Sequence, residues 1–220
     1  MVEKKLYLGA IAVTLVVFGI AMVFVRVYDD SKLGGLQQGV DSTAADTDET
    51  RLLLIYSQVF AQKNTTSLCK FLDYNINRQS SRGYYLVRTL REQEKNNLLA
   101  NYDETKKKYY LNNFEIWLYL TQAAQTCPGY DITPALFFTQ TQTLCADCIV
   151  QGDVLDQLRG ECKNLRVITL ADDLDIAPIS LVKETFGVSD SPSLVINNQQ
   201  VLAGLQSRES ILSKIRCERQ

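Results

Sequence analysis

At Cys127-Pro128-Gly129 the sequence changes its grammar. From Arg51 to Thr126 there is no proline and a single glycine, Gly83. Apolar residues recur there at helical spacing: Leu54, Val59 and Phe60; Leu68, Phe71, Leu72 and Ile76; Leu86, Leu90 and Leu98; Phe114, Trp117, Leu118 and Leu120. This spacing gives each helix one apolar stripe, and the scarcity of breakers lets helices run long. Three to five antiparallel helices are therefore expected over residues 51–130.

Past that point strands and helices are expected to alternate. The β-rich run Ala135–Thr139 predicts a strand, and the amphipathic stretch through Val154, Leu155 and Leu158 a helix. Leu165–Leu170 reads as a second strand and Ile176–Phe186 as a helix. Ser193–Ile196 and Val201–Ala203 read as two strands joined at Asn197-Asn198, a pair suited to a tight hairpin. Ser207 is placed to cap a last helix running to about Arg216. The expected order over residues 131–220 is β-α-β-α-β-β-α.

Before residue 51 the chain reads differently. Leu6–Val25 has no charged residue, and at about 1.5 Å per residue it predicts a helix able to cross a hydrocarbon core of roughly 30 Å. Residues 1–27 are therefore expected to be a retained transmembrane anchor rather than a cleaved signal peptide. Residues 28–50, rich in Gly, Gln, Asp and Thr from Gly34 to Thr50, are expected to be a flexible tether. Lys4 and Lys5 on one side of the run are matched by Arg26 and Lys32 on the other, so charge alone leaves the orientation open. Six cysteines favour a disulfide-permitting compartment. The expected localisation is thus a single-pass membrane protein with a cytoplasmic N-terminus and an extracytoplasmic C-terminal domain. Asn64-Thr65-Thr66 matches a glycosylation acceptor, a pattern that also arises by chance.

Composition narrows the chemistry. Histidine is absent, which removes Ser-His-Asp and Cys-His catalysis and His-containing zinc sites. With 23 Lys+Arg against 25 Asp+Glu, the chain lacks the basic field that nucleic-acid binding uses, so no nucleic-acid partner is expected. Lys106-Lys107-Lys108 reads as a solvated helix face.

Chemistry then rests on Cys145-Ala146-Asp147-Cys148, which follows a strand and opens a helix. Free N–H groups and the helix dipole would favour Cys145 as a thiolate, the reactive form. Cys148, one turn on, could resolve a mixed disulfide formed at Cys145. Half of a zinc site and an inert staple are the other readings of the spacing; without histidine the zinc site is disfavoured, and neither metal nor cofactor is expected.

Taken together, the element order, the Cys-x-x-Cys at the first helix start and Pro192 opening the third strand resemble the thioredoxin-like superfamily, over roughly Thr133 to the C-terminus. The resemblance implies an α/β thioredoxin-like domain (131–220) behind the transmembrane helix and the all-α region. It implies that Cys145 is the nucleophile, Cys148 the resolving cysteine, Pro192 a cis-proline and Ser191 the residue whose backbone pairs with substrate. Its topology places Cys162 beside Cys217, implying a disulfide there and leaving Cys69 and Cys127 to pair; four free, buried thiols are the alternative. The family often carries a buried carboxylate in the first strand, but the matching positions here are Leu136 or Thr139. Asp147 is the nearest carboxylate in sequence and a candidate for proton transfer, or simply a first-turn acid.

The implied function is a membrane-anchored, extracytoplasmic thiol-disulfide oxidoreductase acting on protein cysteines, with a redox partner that recharges the pair. A non-enzymatic surface module is the alternative. With Ala146 and Asp147 between the cysteines and no cation in Gln140–Leu144, the Cys145 thiol is expected near ~6.5 to 8 and the potential at roughly −200 to −280 mV, values of a reductase or isomerase more than of a strong oxidase. A side chain brought close by the fold, such as Lys183, would alter that balance.

Overall fold

The computed structural model describes residues 14–23, 64–96, 101–140 and 145–218, and the chain divides into two units, Met1–Gln58 and Val59–Gln220. In the first unit, residues 14–23 are helical. No helix among the described residues is long and apolar enough to cross a membrane. The expected single-pass anchor over Leu6–Val25, and the extracytoplasmic localisation built on it, are corrected accordingly. The rest of that run, the tether expected at 28–50 and the helical segment expected from Arg51 to Lys63 lie outside the described residues.

The first described residue of the second unit is Asn64, whose side chain accepts a hydrogen bond from the Thr66 N–H (2.8 Å) and caps α1, Thr65–Lys95. This cap accounts for asparagine at the head of the helix without any glycan. Replacing Asn64 with Ala is expected to lower stability by about 1 kcal/mol, measured by urea unfolding; an unchanged midpoint would show that the cap contributes nothing.

A second helix, α2 (Tyr102–Thr126), packs against α1. Sequence periodicity separates Leu68–Ile76 from Leu86–Leu90, but both fall on one continuous α1. Gly83 marks a close approach rather than a break, since a Cβ there would lie 3.2 Å from Asn112 Nδ2. The two helices are tied by the Cys69–Cys127 disulfide, by Phe71 edge-on to Tyr119, and by Asn112 donating to the Gln79 carbonyl at 3.0 Å. Tyr102 at the start of α2 donates to the Glu94 carboxylate near the end of α1, which pushes its hydroxyl up to about 12.

From Thr133 the order is β1 (Thr133–Thr139), α3 (Ala146–Glu161), β2 (Leu165–Ala171), α4 (Ala177–Phe186), β3 (Ser193–Ile196), β4 (Gln200–Ala203) and α5 (Arg208–Leu212). The strands form one mixed sheet in the order β2-β1-β3-β4, with β1 and β2 parallel and the other pairs antiparallel. Position in the sheet accounts for composition. The central strands β1 and β3 are buried on both faces and read as unbroken apolar runs, while the edge strand β4 is largely exposed. The hairpin between β3 and β4 turns on Asn197 and Asn198, both with positive φ (51° and 58°), a conformation asparagine tolerates.

Strand alternation builds a core on each face. Ala135, Phe137, Leu194 and Ile196 meet Leu155 and Leu158 of α3 and Ile211 of α5. Leu136, Phe138, Leu170 and Val195 meet Ile179 and Val182 of α4 and Trp117 of α2. The last helix of the helical region is therefore part of the α/β packing, and Trp117 Nε1 and Asn113 Nδ2 reach Asn198 and the Thr169 carbonyl at 3.1 and 2.9 Å.

Helix α5 ends at Leu212, short of the expected Arg216. The tail is drawn away instead: Cys217 is bonded to Cys162, and Asn164 donates to the Arg216 carbonyl and accepts the Glu218 N–H. These contacts outweigh the few intrahelical bonds a longer α5 would add.

Candidate redox site

Four chain segments meet at one edge of the sheet. Thr139 ends β1 opposite Ala171 at the end of β2, and Phe138 pairs with Ser193 at the start of β3, which in turn pairs with Ala203 at the end of β4. This register brings the start of α3, Asp172, the Ser191-Pro192 dipeptide and Gly204 into one neighbourhood.

Cys145 occupies the cap position of α3 in extended conformation, and its Sγ accepts the Cys148 N–H at 3.1 Å. A sulfur so placed sits at the positive end of the helix dipole with one otherwise unused N–H directed at it. Cys145 and Cys148 are joined in a disulfide, and both are buried, with 7% and 5% of their surface exposed. The next two residues, Ile149 and Val150, are exposed, as is Leu205 on the loop that follows β4.

The Ser191–Pro192 peptide bond is cis, and the Ser191 carbonyl oxygen lies 3.7 Å from Cys145 Sγ. The Pro192 carbonyl accepts the Gly204 N–H at 2.8 Å, and the Gln206 N–H donates to the buried Gln151 Oε1 at 2.7 Å, which ties the loop after β4 to α3. Cys145, Cys148, Ser191 and Pro192 are thus brought together.

Asp147 is separated from them, exposed on the first turn of α3 while both cysteines face inward. Of the strand positions considered for a carboxylate, Leu136 lies in the core of the opposite face. The cysteines pack on the face that carries Ala135 and Phe137.

The remaining cysteines are joined as Cys162–Cys217, at the far edge of the sheet beside the start of β2, and as Cys69–Cys127 in the helical pair.

Sequence reasoning passed over Asp172. Its side chain is only 4% exposed, pairs with Lys183 Nζ on one oxygen and accepts the Ser191 hydroxyl on the other at 2.9 Å. Its N–H donates to the Thr139 carbonyl at 2.7 Å. The acid-rich run Asp172-Asp173-Leu174-Asp175 conceals it; its place directly after the last apolar residue of β2 was the one available signal. The chain matches no protein-family model, no curated protein and no solved structure.

Proposed function

We propose that this protein is a thiol-disulfide oxidoreductase of thioredoxin-like build, working through Cys145 and Cys148 on protein cysteines. The observation that carries the reading is the Cys145 sulfur at the cap of α3, accepting the Cys148 N–H within bonding reach of the Cys148 sulfur. This is the arrangement a dithiol needs to hold one thiolate ready and to close on itself.

In the reducing direction, the Cys145 thiolate attacks a substrate disulfide, forming a mixed disulfide and releasing one substrate thiolate. The Cys148 thiolate then attacks Cys145 Sγ. That step releases the second substrate thiolate and closes the Cys145–Cys148 disulfide, so two electrons have passed to the substrate. A separate thiol donor must reopen the pair before the next cycle. Exposed Ile149, Val150 and Leu205 near the pair suit an apolar stretch of substrate chain.

Among the described groups around Cys145 Sγ, the Cys148 N–H is a donor and the Ser191 carbonyl opposes it. This balance supports a reductase or isomerase over a strong oxidase. Equilibrating the purified chain with glutathione is expected to give a potential of about −200 to −280 mV, and a value above about −150 mV would overturn that assignment. Burial of both cysteines favours a second reading, in which the pair is a closed structural staple within a binding module. Alkylation after mild reduction separates the two: rapid labelling of Cys145 supports the enzyme, and protection of both sulfurs supports the staple.

A further inference from the structure

A carboxylate as buried as Asp172 is costly to desolvate, and replacing a buried ion pair by apolar residues is often neutral or stabilising. Stability alone therefore gives little reason for Asp172 and Lys183. Their contacts suggest another. Outside Lys183, the contacts of Asp172 reach segments that flank the cysteines: its N–H holds the Thr139 carbonyl at the end of β1, and its Oδ2 holds the Ser191 hydroxyl. Ser191 in turn presents its carbonyl oxygen to Cys145 Sγ at 3.7 Å.

That carbonyl is the negative end of a dipole. It tolerates a neutral disulfide, but it disfavours the thiolate that the cap of α3 favours in the dithiol, in opposition to the Cys148 N–H. The distance from oxygen to sulfur therefore tilts the equilibrium between dithiol and disulfide. A serine whose hydroxyl is anchored cannot let its carbonyl drift.

Resting on the thiol-disulfide reading above, we propose that Asp172 is a positioning residue of the redox site: paired with Lys183, it anchors Ser191 so that the Ser191 carbonyl stays against Cys145 Sγ, which favours the Cys145–Cys148 disulfide over the dithiol. The anchor acts through Ser191 and touches no reacting atom. Its effect appears in the exchange of the pair with glutathione, in which the dithiol gives two electrons and two protons to one glutathione disulfide, yielding the protein disulfide and two glutathione thiols.

The test uses the full chain as wild type, Asp172→Asn, Ser191→Ala and the double variant, each shown to be folded by circular dichroism and then equilibrated in graded mixtures of reduced and oxidised glutathione. Each single variant is expected to shift the equilibrium toward the dithiol by about threefold to tenfold, tenfold being about 30 mV. The double variant should shift it no further than the larger single one, because both changes weaken the same contact, Asp172→Asn by removing the carboxylate charge and Ser191→Ala by removing the hydroxyl. Ser191→Ala removes only a hydroxyl and carries the test alone if Asp172→Asn fails to fold. Folded variants within twofold of wild type would overturn the proposal, as would fully additive shifts, which would mean that Asp172 does not act through Ser191. A wild-type pair that never exchanges with glutathione is a different result: it overturns the thiol-disulfide reading itself, and the anchor's redox role with it.

Discussion

Mixed with oxidised glutathione, the reduced Cys148→Ser variant is expected to accumulate one glutathione adduct on Cys145, whereas the reduced wild-type chain passes through that adduct and closes its disulfide. The asymmetry follows from placement. Cys145 caps α3 and receives an N–H from the helix, which favours a thiolate there once the disulfide is reduced, while Cys148 lies a turn inside. In the wild type, Cys148 is within bonding reach of Cys145, and well-oriented intramolecular attack corresponds to effective concentrations of ~10⁵ M or more. Removing that attack should lengthen the adduct's life by orders of magnitude. Cys145→Ala should form no adduct above the background of a buried thiol and should lose exchange altogether. Intact-mass measurement reads all three. Equal adduct yields on Cys148 in the Cys145→Ala chain would reverse the assignment of nucleophile, and no adduct on either variant would favour the staple.

The second large effect is on stability. Cys69–Cys127 and Cys162–Cys217 close loops with sequence separations of 58 and 55. The chain-entropy relation gives about 4 kcal/mol for a loop of that size, within the range seen when native disulfides are removed. Against a typical total of about 5 to 15 kcal/mol, either loss is serious. Replacing Cys162 and Cys217 together by Ala should therefore lower Tm by roughly 10 °C, at about 2 to 4 °C per kcal/mol for a unit of this size. It should also release the tail that Asn164 holds. The separation of 3 between Cys145 and Cys148 yields less than half as much by the same relation, about 2 kcal/mol. Cys145–Cys148 is thus the disulfide the fold can open at least cost, as the proposed function requires. A Cys162/Cys217 double-Ala chain melting within about 2 °C of wild type would show that this disulfide adds nothing beyond the packing around it.

The strands and helices after Cys127 were legible because burial on two faces demands unbroken apolar runs, and Leu136-Phe137-Phe138 and Leu194-Val195-Ile196 supply them. The hairpin was legible for a local reason too, since two adjacent asparagines accept positive φ. The Cys-x-x-Cys was legible as a cap because its neighbours alone determine whether a helix starts there. At the N-terminus, freedom from charge in Leu6–Val25 predicts a spanning helix, whereas no helix among the described residues is long and apolar enough to cross a membrane. Periodicity also divides α1, since the residues it buries between Ile76 and Leu86 are Gln79 and Gly83, which carry no apolar signal.

Cysteine pairing depended on more than spacing, because six cysteines allow 15 connectivities and only a topology chooses among them. The surroundings of Cys145 depended on still more. Asp172 and Asp173 are adjacent and chemically alike, yet one side chain is buried against Lys183 and Ser191 while the other residue is exposed. Nothing local distinguishes them. Local patterns in the chain determined which segments are strands, where helices start and which two cysteines share a turn, because those depend on residues a few positions apart. Only the tertiary structure decided that Ser191, 46 positions from Cys145, presents its carbonyl to that sulfur and that Asp172 holds it there. These contacts exist because the register of β1 with β2 and β3 brings three loop ends to one edge, and register depends on how whole faces pack.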